Sequence, residues 1–146
     1  MTNDEIVKLN KDVIEAWNKH DVEKFQSLCD TNVVWKDTST PDSYKGKKGA
    51  GEFFDLWNKA FPDFKLTIIN TVVGDNSIAV EIEFSGTNTG TLKMGEMEIP
   101  ATRKKVTANR GSYLAWFKNG KVTEVHTYPD LAGMMVQLGL MQEQHA

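Results

Sequence analysis

The spacing of apolar residues changes once along the chain, and this change constrains the fold most. Near the N-terminus, apolar residues recur at intervals of three and four, namely Ile6, Leu9, Val13 and Trp17. This spacing predicts an amphipathic helix. From Phe64 onward, apolar residues alternate with polar ones, as in half-buried strands. Helices followed by strands are typical of an α+β fold in which helices pack on one face of a curved sheet.

Three helices are predicted before the long run of strands, with a short strand, 33–37, between the second and the third. Thr2 and Glu5 have the spacing of a capping box, which marks the start of the first helix. Asp21 can cap a second helix, and Pro62 ends a third. The segment 37–51, DTSTPDSYKGKKGAG, is rich in turn-forming residues and is predicted to be a loop.

The strand region contains one well-defined hairpin. Asn119-Gly120 separates the alternating runs 106–117 and 122–128. This dipeptide favours a type I′ turn, in which both central residues take a positive φ. No internal repeat or linker interrupts the sequence, so the 146 residues are predicted to form one domain, 1–146.

Composition argues against several classes of protein. A net charge of −3 gives no electrostatic basis for binding nucleic acid or an anionic membrane. No apolar run approaches the roughly 18 to 20 residues that a membrane span needs, and the polar N-terminus lacks the core of a signal peptide. The single cysteine, Cys29, cannot form an internal disulfide and fits a reducing compartment. The expected location is the cytoplasm.

The same inspection leaves acid/base chemistry as the one type of catalysis with suitable residues. The histidines, the cysteine and the carboxylates do not form a recognisable metal-ligand cluster, so no metal is expected. No glycine-rich phosphate loop joins a strand to a helix, so no nucleotide cofactor is expected either. A serine nucleophile elbow is also missing from the sequence.

The last predicted strand carries several polar side chains. Strict alternation places Glu124, His126 and Tyr128 on one face, with Asp130 just beyond the strand. This face either points to solvent or lines a cavity beneath the helices. Asp37, on the same face of its own strand as Trp35, is either a cavity residue or the first residue of the loop.

Asp130 itself has two interpretations. It can cap the helix that follows, because a helical apolar stripe begins at Leu131 and Gly139 offers a stop. The third helical position is Gly133, however, so no capping box supports the cap. The alternative is that Asp130 is the acid/base group of an active site.

Several segments together resemble a known family. The stretches EAWNKHDVEKFQSLCDTNVVWKD, AFPDF, GTNTGTL, IPATRKKV and NGKVTEVHTYPDLAGMMVQLG are similar to those of the SnoaL-like polyketide cyclases. That family belongs to the superfamily of nuclear transport factor two and ketosteroid isomerase. The resemblance covers about residues 4 to 140. It implies a cone-shaped, curved antiparallel sheet wrapped around N-terminal helices (a cystatin-like, nuclear transport factor two-like barrel) and a homodimer formed through the outer face of the sheet.

The resemblance also implies roles for individual residues. Asp130 matches the acid/base aspartate of the family and His126 lies beside it, so these two are the candidate catalytic residues. Asn88 stands where many relatives have histidine. Together with the aromatic residues available to a cavity, the candidate substrate-binding residues are Trp17, Trp35, Asp37, Trp57, Phe61, Asn88 and Tyr128.

The implied reaction removes a proton next to a carbonyl group, and the resulting enolate attacks a second carbonyl of the same molecule. It needs no cofactor, and the expected ligand is a small apolar carbonyl compound. Isomerisation or ester chemistry by the same base is equally open. The alternative function is a dimeric module without catalysis, which binds a small ligand or a protein partner in the cone.

Overall fold

The computed structural model describes residues 1–142, which form four helices and eight strands. In chain order these are α1 (Asn3–Asn18), α2 (Val22–Leu28), β1 (Cys29–Asp37), β2 (Ser43–Lys45), α3 (Gly46–Ala60), β3 (Lys65–Gly74), β4 (Ser77–Thr87), β5 (Leu92–Met94), β6 (Met97–Ile99), β7 (Lys105–Lys118), β8 (Lys121–Pro129) and α4 (Leu131–Gln137).

The predicted helix starts are confirmed. The Thr2 side chain accepts a hydrogen bond from the amide of Glu5, and the Glu5 carboxylate accepts one from the amide of Thr2. This capping box satisfies two amides that would otherwise lack partners in the first turn. Asp21 caps α2 by accepting from the amide of Lys24 at 3.0 Å. α1 buries its apolar stripe from Ile6 to Trp17.

The main sheet has six strands in the order β2-β1-β8-β7-β4-β3 and curves around the helices. The predicted α+β class is therefore confirmed. The sheet is not wholly antiparallel, because β1 pairs with β8 in parallel. A parallel pair needs a long connection, and here the chain between β1 and β8 contains α3 and the intervening strands. A separate hairpin, β5–β6, lies in the glycine-rich segment between β4 and β7.

A tight turn connects β7 to β8, and a β-bulge next to this turn determines which residues of β8 face inward. The β7–β8 turn has φ values of 52° at Asn119 and 75° at Gly120, as predicted for type I′. Directly after it, Trp116 pairs with Glu124 but Phe117 pairs with Val122. Thr123 is thus the extra residue of a β-bulge, and the inward face shifts by one position beyond it.

The prediction of a loop over 37–51 is wrong for most of its length. β2 begins at Ser43, and α3 begins at Gly46. Glycine weakens a helix interior, but at Gly49 and Gly51 of α3 a larger side chain would collide with neighbouring residues. A Cβ on Gly49 would lie 2.9 Å from the carbonyl carbon of Tyr44, and one on Gly51 would overlap the Gln26 side chain. The glycines allow α3 to pack closely against β2 and α2.

The core lies between the inner face of the sheet and the four helices. It includes Phe25 and Phe54, both essentially without solvent exposure. Among residues 1–142, no helix has the length and apolar character needed to cross a bilayer.

Candidate functional site

A cavity of about 120 Å³ lies between the sheet and helices α1, α3 and α4. The inner faces of β7 and β8 form its floor, and α4 covers one end. Its lining is mostly apolar and comprises Asn10, Val13, Ile14, Trp17, Trp35, Asp37, Phe53, Trp57, Phe64, Leu66, Ile82, Phe84, Asn109, Gly111, Tyr113, Ala115, Phe117, Val122, Val125, Thr127, Pro129, Asp130, Leu131 and Met134.

Aromatic rings build much of the wall. The ring centroids of Trp17 and Trp35 are 6.2 Å apart, and Phe64 lies 5.2 Å from Trp17 and 6.5 Å from Trp57. Such edge and offset contacts hold the rings as one cluster. Trp17, Trp35 and Trp57 all line the cavity. Phe61 does not, because it is fully buried behind Trp57, with its ring centroid 6.0 Å away, and does not line the cavity.

Asp37 is the buried carboxylate of this cavity. It is 2 % exposed and stands at the end of β1, opposite Thr127 of β8. The Thr127 hydroxyl donates to one carboxylate oxygen at 3.0 Å, and the amide and hydroxyl of Ser39 both donate to the other. These bonds fix the orientation of the carboxylate. Of the two interpretations left open by the sequence, the cavity position is the observed one.

Two buried donors on cavity-lining residues have no hydrogen-bond partner among residues 1–142. The indole nitrogens of Trp35 and Trp57 are inaccessible to solvent and make no hydrogen bond. Their side chains are only 5 % and 7 % exposed. Most buried polar groups in native proteins are paired, so these two N–H groups within the packed aromatic cluster are exceptions to that rule.

Elsewhere in the cavity the polar groups are paired. The Tyr113 hydroxyl donates to the side-chain oxygen of Asn10. Burial raises the pKa of the Tyr113 phenol well above its ordinary value, and the bond to Asn10 opposes this only in part. Asn109 follows Ala108, whose φ of 49° marks a bulge in β7. The Asn109 amide donates to the backbone oxygen of Asp130 at 3.3 Å.

Asp130 is exposed and lies at the end of the cavity beside α4. One carboxylate oxygen accepts a hydrogen bond from the amide of Gly133 at 2.9 Å, so Asp130 is the N-cap of α4. Gly133 makes room for the cap, because a Cβ there would lie 2.9 Å from the carboxyl carbon. The cap geometry is thus present, and Asp130 also contributes to the cavity lining.

His126 and Tyr128 lie on the outer face of the sheet, and the predicted placement in the cavity is wrong. The cause is the bulge at Thr123, which brings Val122, Val125 and Thr127 inward instead. His126 pairs with Glu124 at 2.8 Å. Its ring lies 4.7 Å from that of Trp116, which therefore also faces outward.

Asn88 is fully buried but, contrary to the predicted position at the edge of the pocket, does not line the cavity. Its side chain holds the loop before β7 in place. The amide nitrogen donates to the carbonyl of Gly90 at 2.7 Å, and the oxygen accepts from the amide and hydroxyl of Thr102 at 2.9 and 2.8 Å.

Sequence reasoning missed three polar residues of the cavity, namely Asn10, Asn109 and Thr127. Asn10 carried a readable signal, because it interrupts the apolar stripe of α1 one turn after Ile6. Asn109 and Thr127 face the cavity because of β-bulges, and the alternation of apolar and polar residues does not reveal such bulges. Within residues 1–142, no three His, Cys, Asp or Glu side chains are grouped as a metal site would require.

Comparison with known proteins places this geometry in a family. Residues 8–138 match the model of the family described as SnoaL-like polyketide cyclase. The chain belongs to the SnoaL-like polyketide cyclase family. No curated protein sequence matches it.

Solved structures of SnoaL-like and related proteins share the fold at low sequence identity. A Jannaschia sp. CCS1 protein assigned as a SnoaL-like polyketide cyclase is 17% identical, with a TM-score of 0.81 over 94% of this chain and 93% of that one. AclR from Streptomyces galilaeus, assigned as a hydroxylase, is 19% identical, with a TM-score of 0.80 over 99% and 91%. A protein with a ketosteroid isomerase-like fold from Catenulispora acidiphila DSM 44928, in complex with trimethylamine, is 13% identical, with a TM-score of 0.74 over 94% and 97%.

Proposed function

We propose that this SnoaL-like protein is a cyclase or isomerase that transfers a proton at the carbon next to a carbonyl group of a small molecule bound in the cavity. One observation carries the proposal. A carboxylate that is 2 % exposed, Asp37, stands in the wall of a cavity that is otherwise mostly apolar. An oriented base in a site that excludes water is what abstraction of a carbon-bound proton requires.

Two aspartates line the cavity, and their surroundings favour different roles. Asp37 is buried, and its oxygens are oriented by Ser39 and Thr127. Asp130 is exposed, and one of its oxygens is engaged by the amide of Gly133. We assign the base to Asp37 and place Asp130 at the mouth, where it can exchange protons with solvent. His126 points away from the cavity and has no direct part in the reaction.

The proposed step conserves atoms and charge. The Asp37 carboxylate takes the α-proton, the C–H bond breaks, and its electron pair moves to form an enolate whose charge lies on the carbonyl oxygen. In an isomerisation, the Asp37 carboxylic acid returns the proton to another carbon. In a cyclisation, the enolate carbon forms a bond to a second carbonyl carbon of the same molecule, and the acid protonates the resulting alkoxide. No cofactor takes part.

The test is exchange of α-protons for deuterium, with cyclohexanone as a small probe in D₂O at neutral pH. NMR follows the loss of the α-proton signal with native protein, with Asp37→Asn and with Asp130→Asn. We expect exchange above the protein-free rate, reduced by about a hundredfold or more in Asp37→Asn and little changed in Asp130→Asn. Exchange that depends on Asp130 and not on Asp37 would move the base to the position that the family resemblance implies.

A second function is favoured by one detail of the site. Both Asp37 oxygens accept hydrogen bonds from neighbouring residues, an arrangement that also suits a carboxylate with a structural role. In that case the protein is a binding module that holds a small ligand without altering it. The relative from Catenulispora acidiphila, which holds trimethylamine, supports ligand binding in this fold. Binding of cyclohexanone without any protein-dependent exchange would favour this function.

We further propose a homodimer formed through the outer face of the sheet. Val72 and Tyr128 lie on this face and are 69% and 46% exposed. They flank a shallow groove that Leu114 and Ala79 also line. Large exposed apolar residues on one face suit contact with a second copy. Light scattering after size exclusion should give a dimer mass for native protein and a monomer mass for Val72→Glu with Tyr128→Glu. Lys11→Glu, on α1, is the charge-change control and should stay dimeric, whereas a native monomer would refute the proposal.

A cytoplasmic location remains part of the proposal. Cys29 is a free, fully buried thiol, and burial raises its pKa to about 12. A protein that carries an unpaired thiol and forms no disulfide suits a reducing compartment.

A further inference from the structure

The Asp37 carboxylate is buried in the cavity wall without a basic side chain to balance its charge. Its three hydrogen bonds come from the amide and hydroxyl of Ser39 and from the hydroxyl of Thr127, which are neutral donors. Among residues 1–142, Asp37 forms no ion pair, and the cavity lining contains no Lys, Arg or His. Buried charges in proteins are usually paired, so a cationic ligand would supply the partner that these residues do not.

Asp130 adds a second acidic group at the exposed end of the same cavity. Both carboxylates of the lining therefore have the same sign. A cation is attracted by Asp130 at the mouth and by Asp37 in the wall, whereas an anion is repelled by both and would lose its hydration without gaining a counter-charge. The charge pattern of the cavity favours a positively charged ligand.

Aromatic rings that can stabilise a cation stand next to Asp37. Trp17, Trp35 and Phe53 all line the cavity. Their ring centroids form a triangle, with 6.2 Å between the two tryptophans and with Phe53 6.0 Å from Trp17 and 5.7 Å from Trp35. Trp35 and Asp37 lie on the same face of β1, about 7 Å apart along the strand. Because a cation within about 6 Å of a ring centroid is attracted to the ring face, one ligand can contact the carboxylate and the rings together.

The acceptors in the wall limit the kind of cation. A primary ammonium group has three N–H donors, each of which needs an acceptor when it is buried. The Asp37 oxygens already accept three hydrogen bonds, and the rest of the lining is mostly apolar. A quaternary ammonium group has no N–H, and its methyl groups suit apolar walls. The cavity volume is about 120 Å³, and about 150 Å³ can hold benzene, which has one heavy atom more than tetramethylammonium.

We propose that this cavity is a binding site for small quaternary ammonium compounds, with the Asp37 carboxylate as the counter-charge and the rings of Trp17, Trp35 and Phe53 as the surrounding wall. The inference rests on the proposed function only in taking the cavity as the ligand site. It goes beyond that function, because a quaternary ammonium ion has no carbonyl group and no reaction follows its binding.

The test compares tetramethylammonium chloride with tert-butyl alcohol, a neutral compound of the same size. Titrations are followed by the methyl signals of the ligands in ¹H NMR. We expect tetramethylammonium to bind at least about tenfold more tightly, with an upfield shift of its methyl signal, because protons above aromatic faces are shielded. The preference should persist when sodium chloride is raised, since buried charges are screened less than exposed ones. Equal binding of the two compounds would overturn the inference, as would cation binding that salt abolishes.

Asparagine variants identify the counter-charge, because asparagine keeps the size of aspartate but has no charge. Asp37→Asn should remove the preference for the cation. Asp75→Asn, in the exposed turn between β3 and β4, is the matched control and should leave the preference unchanged. Asp130→Asn should lower it by no more than about twofold, because an exposed charge is screened. An undiminished preference in Asp37→Asn would overturn the inference. The titrations of native protein decide the question if this variant does not fold.

This outcome is separable from that of the proposed function. Selective binding of tetramethylammonium without exchange of the cyclohexanone α-protons would keep the cation site and reject the proposed catalysis. Exchange without any preference for the cation would reject the cation site and keep the catalysis. If both are observed, tetramethylammonium should inhibit the exchange competitively, since both ligands occupy the space beside Asp37.

Discussion

The contact between the Asp130 carboxylate and Gly133 can be tested with a double-mutant cycle. Removing the cap in Asp130→Ala should lower the free energy of unfolding by about 1 kcal/mol. In the native background, Gly133→Ala places a methyl group 2.9 Å from the carboxyl carbon, so the carboxylate must rotate away and the cap bond is lost. Alanine favours a helix over glycine by up to about 1 kcal/mol. The loss of the cap bond and the gain in helix propensity offset each other, so the net change in the free energy of unfolding should be close to zero.

In the Asp130→Ala background the added methyl group meets no carboxylate. Gly133→Ala should then stabilise the protein by up to about 1 kcal/mol. The coupling between the two positions is therefore about 1 kcal/mol, or about 3 °C in melting temperature for a chain of this size.

Chemical and thermal unfolding of the four proteins measures this coupling. Asp130→Asn is the matched control, since asparagine caps as well as aspartate does; it should keep native stability while removing the charge. Strictly additive effects of the two alanine substitutions would show that the carboxylate does not occupy the cap position.

Two further predictions concern buried titratable side chains. Burial raises the pKa of Cys29 to about 12, so a thiol reagent at mildly alkaline pH should label it only after denaturation; rapid labelling of native protein would contradict its burial. Tyr113→Phe leaves the Asn10 oxygen without its donor and should lower the free energy of unfolding by about 1–3 kcal/mol. Folding raises the pKa of Tyr113, so its contribution is complete at neutral pH and lost as the pH rises above about 10. Stability measured against pH should therefore fall less steeply in the variant above that pH, and parallel curves would refute the assignment.

The sequence predicted the fold well where local chemistry decides it. The capping box at Thr2 and Glu5 and the turn at Asn119-Gly120 each depend on a few adjacent residues, and both are present as predicted. The change from helical to strand periodicity predicted the α+β class. The start of α3 was not predictable in this way, because its glycines give room to the backbone of Tyr44 and to the side chain of Gln26, and Gln26 is distant in sequence.

The candidate site was less predictable because strand faces depend on bulges. Alternation along β8 placed His126 and Tyr128 inward, and one extra residue at Thr123 reversed their direction. The β-bulge leaves β8 paired with β7 on both sides, and no strong local sequence pattern marks its position. Asp37, in contrast, lies in the regular part of β1, because the pairing with β8 keeps one register from Val34 to Asp37, after the irregularity between Cys29 and Val34. Its cavity position agrees with one of the two sequence interpretations.

The unpaired donors of Trp35 and Trp57 were beyond the sequence altogether. Composition shows that aromatic residues are available to a cavity, but only the packed structure shows which indole N–H groups find partners. Nearby Trp116 illustrates the difference, because the same residue type on β7 points away from the cavity toward His126.

A crystal structure of the protein with cyclohexanone bound tests the central claim most directly, namely that the cavity holds a carbonyl compound against an oriented base. The account predicts the ligand inside the cavity, with an α-carbon facing the Asp37 carboxylate. A ligand bound on the outer face of the sheet, or in the cavity with its α-carbon directed at Asp130, would contradict it.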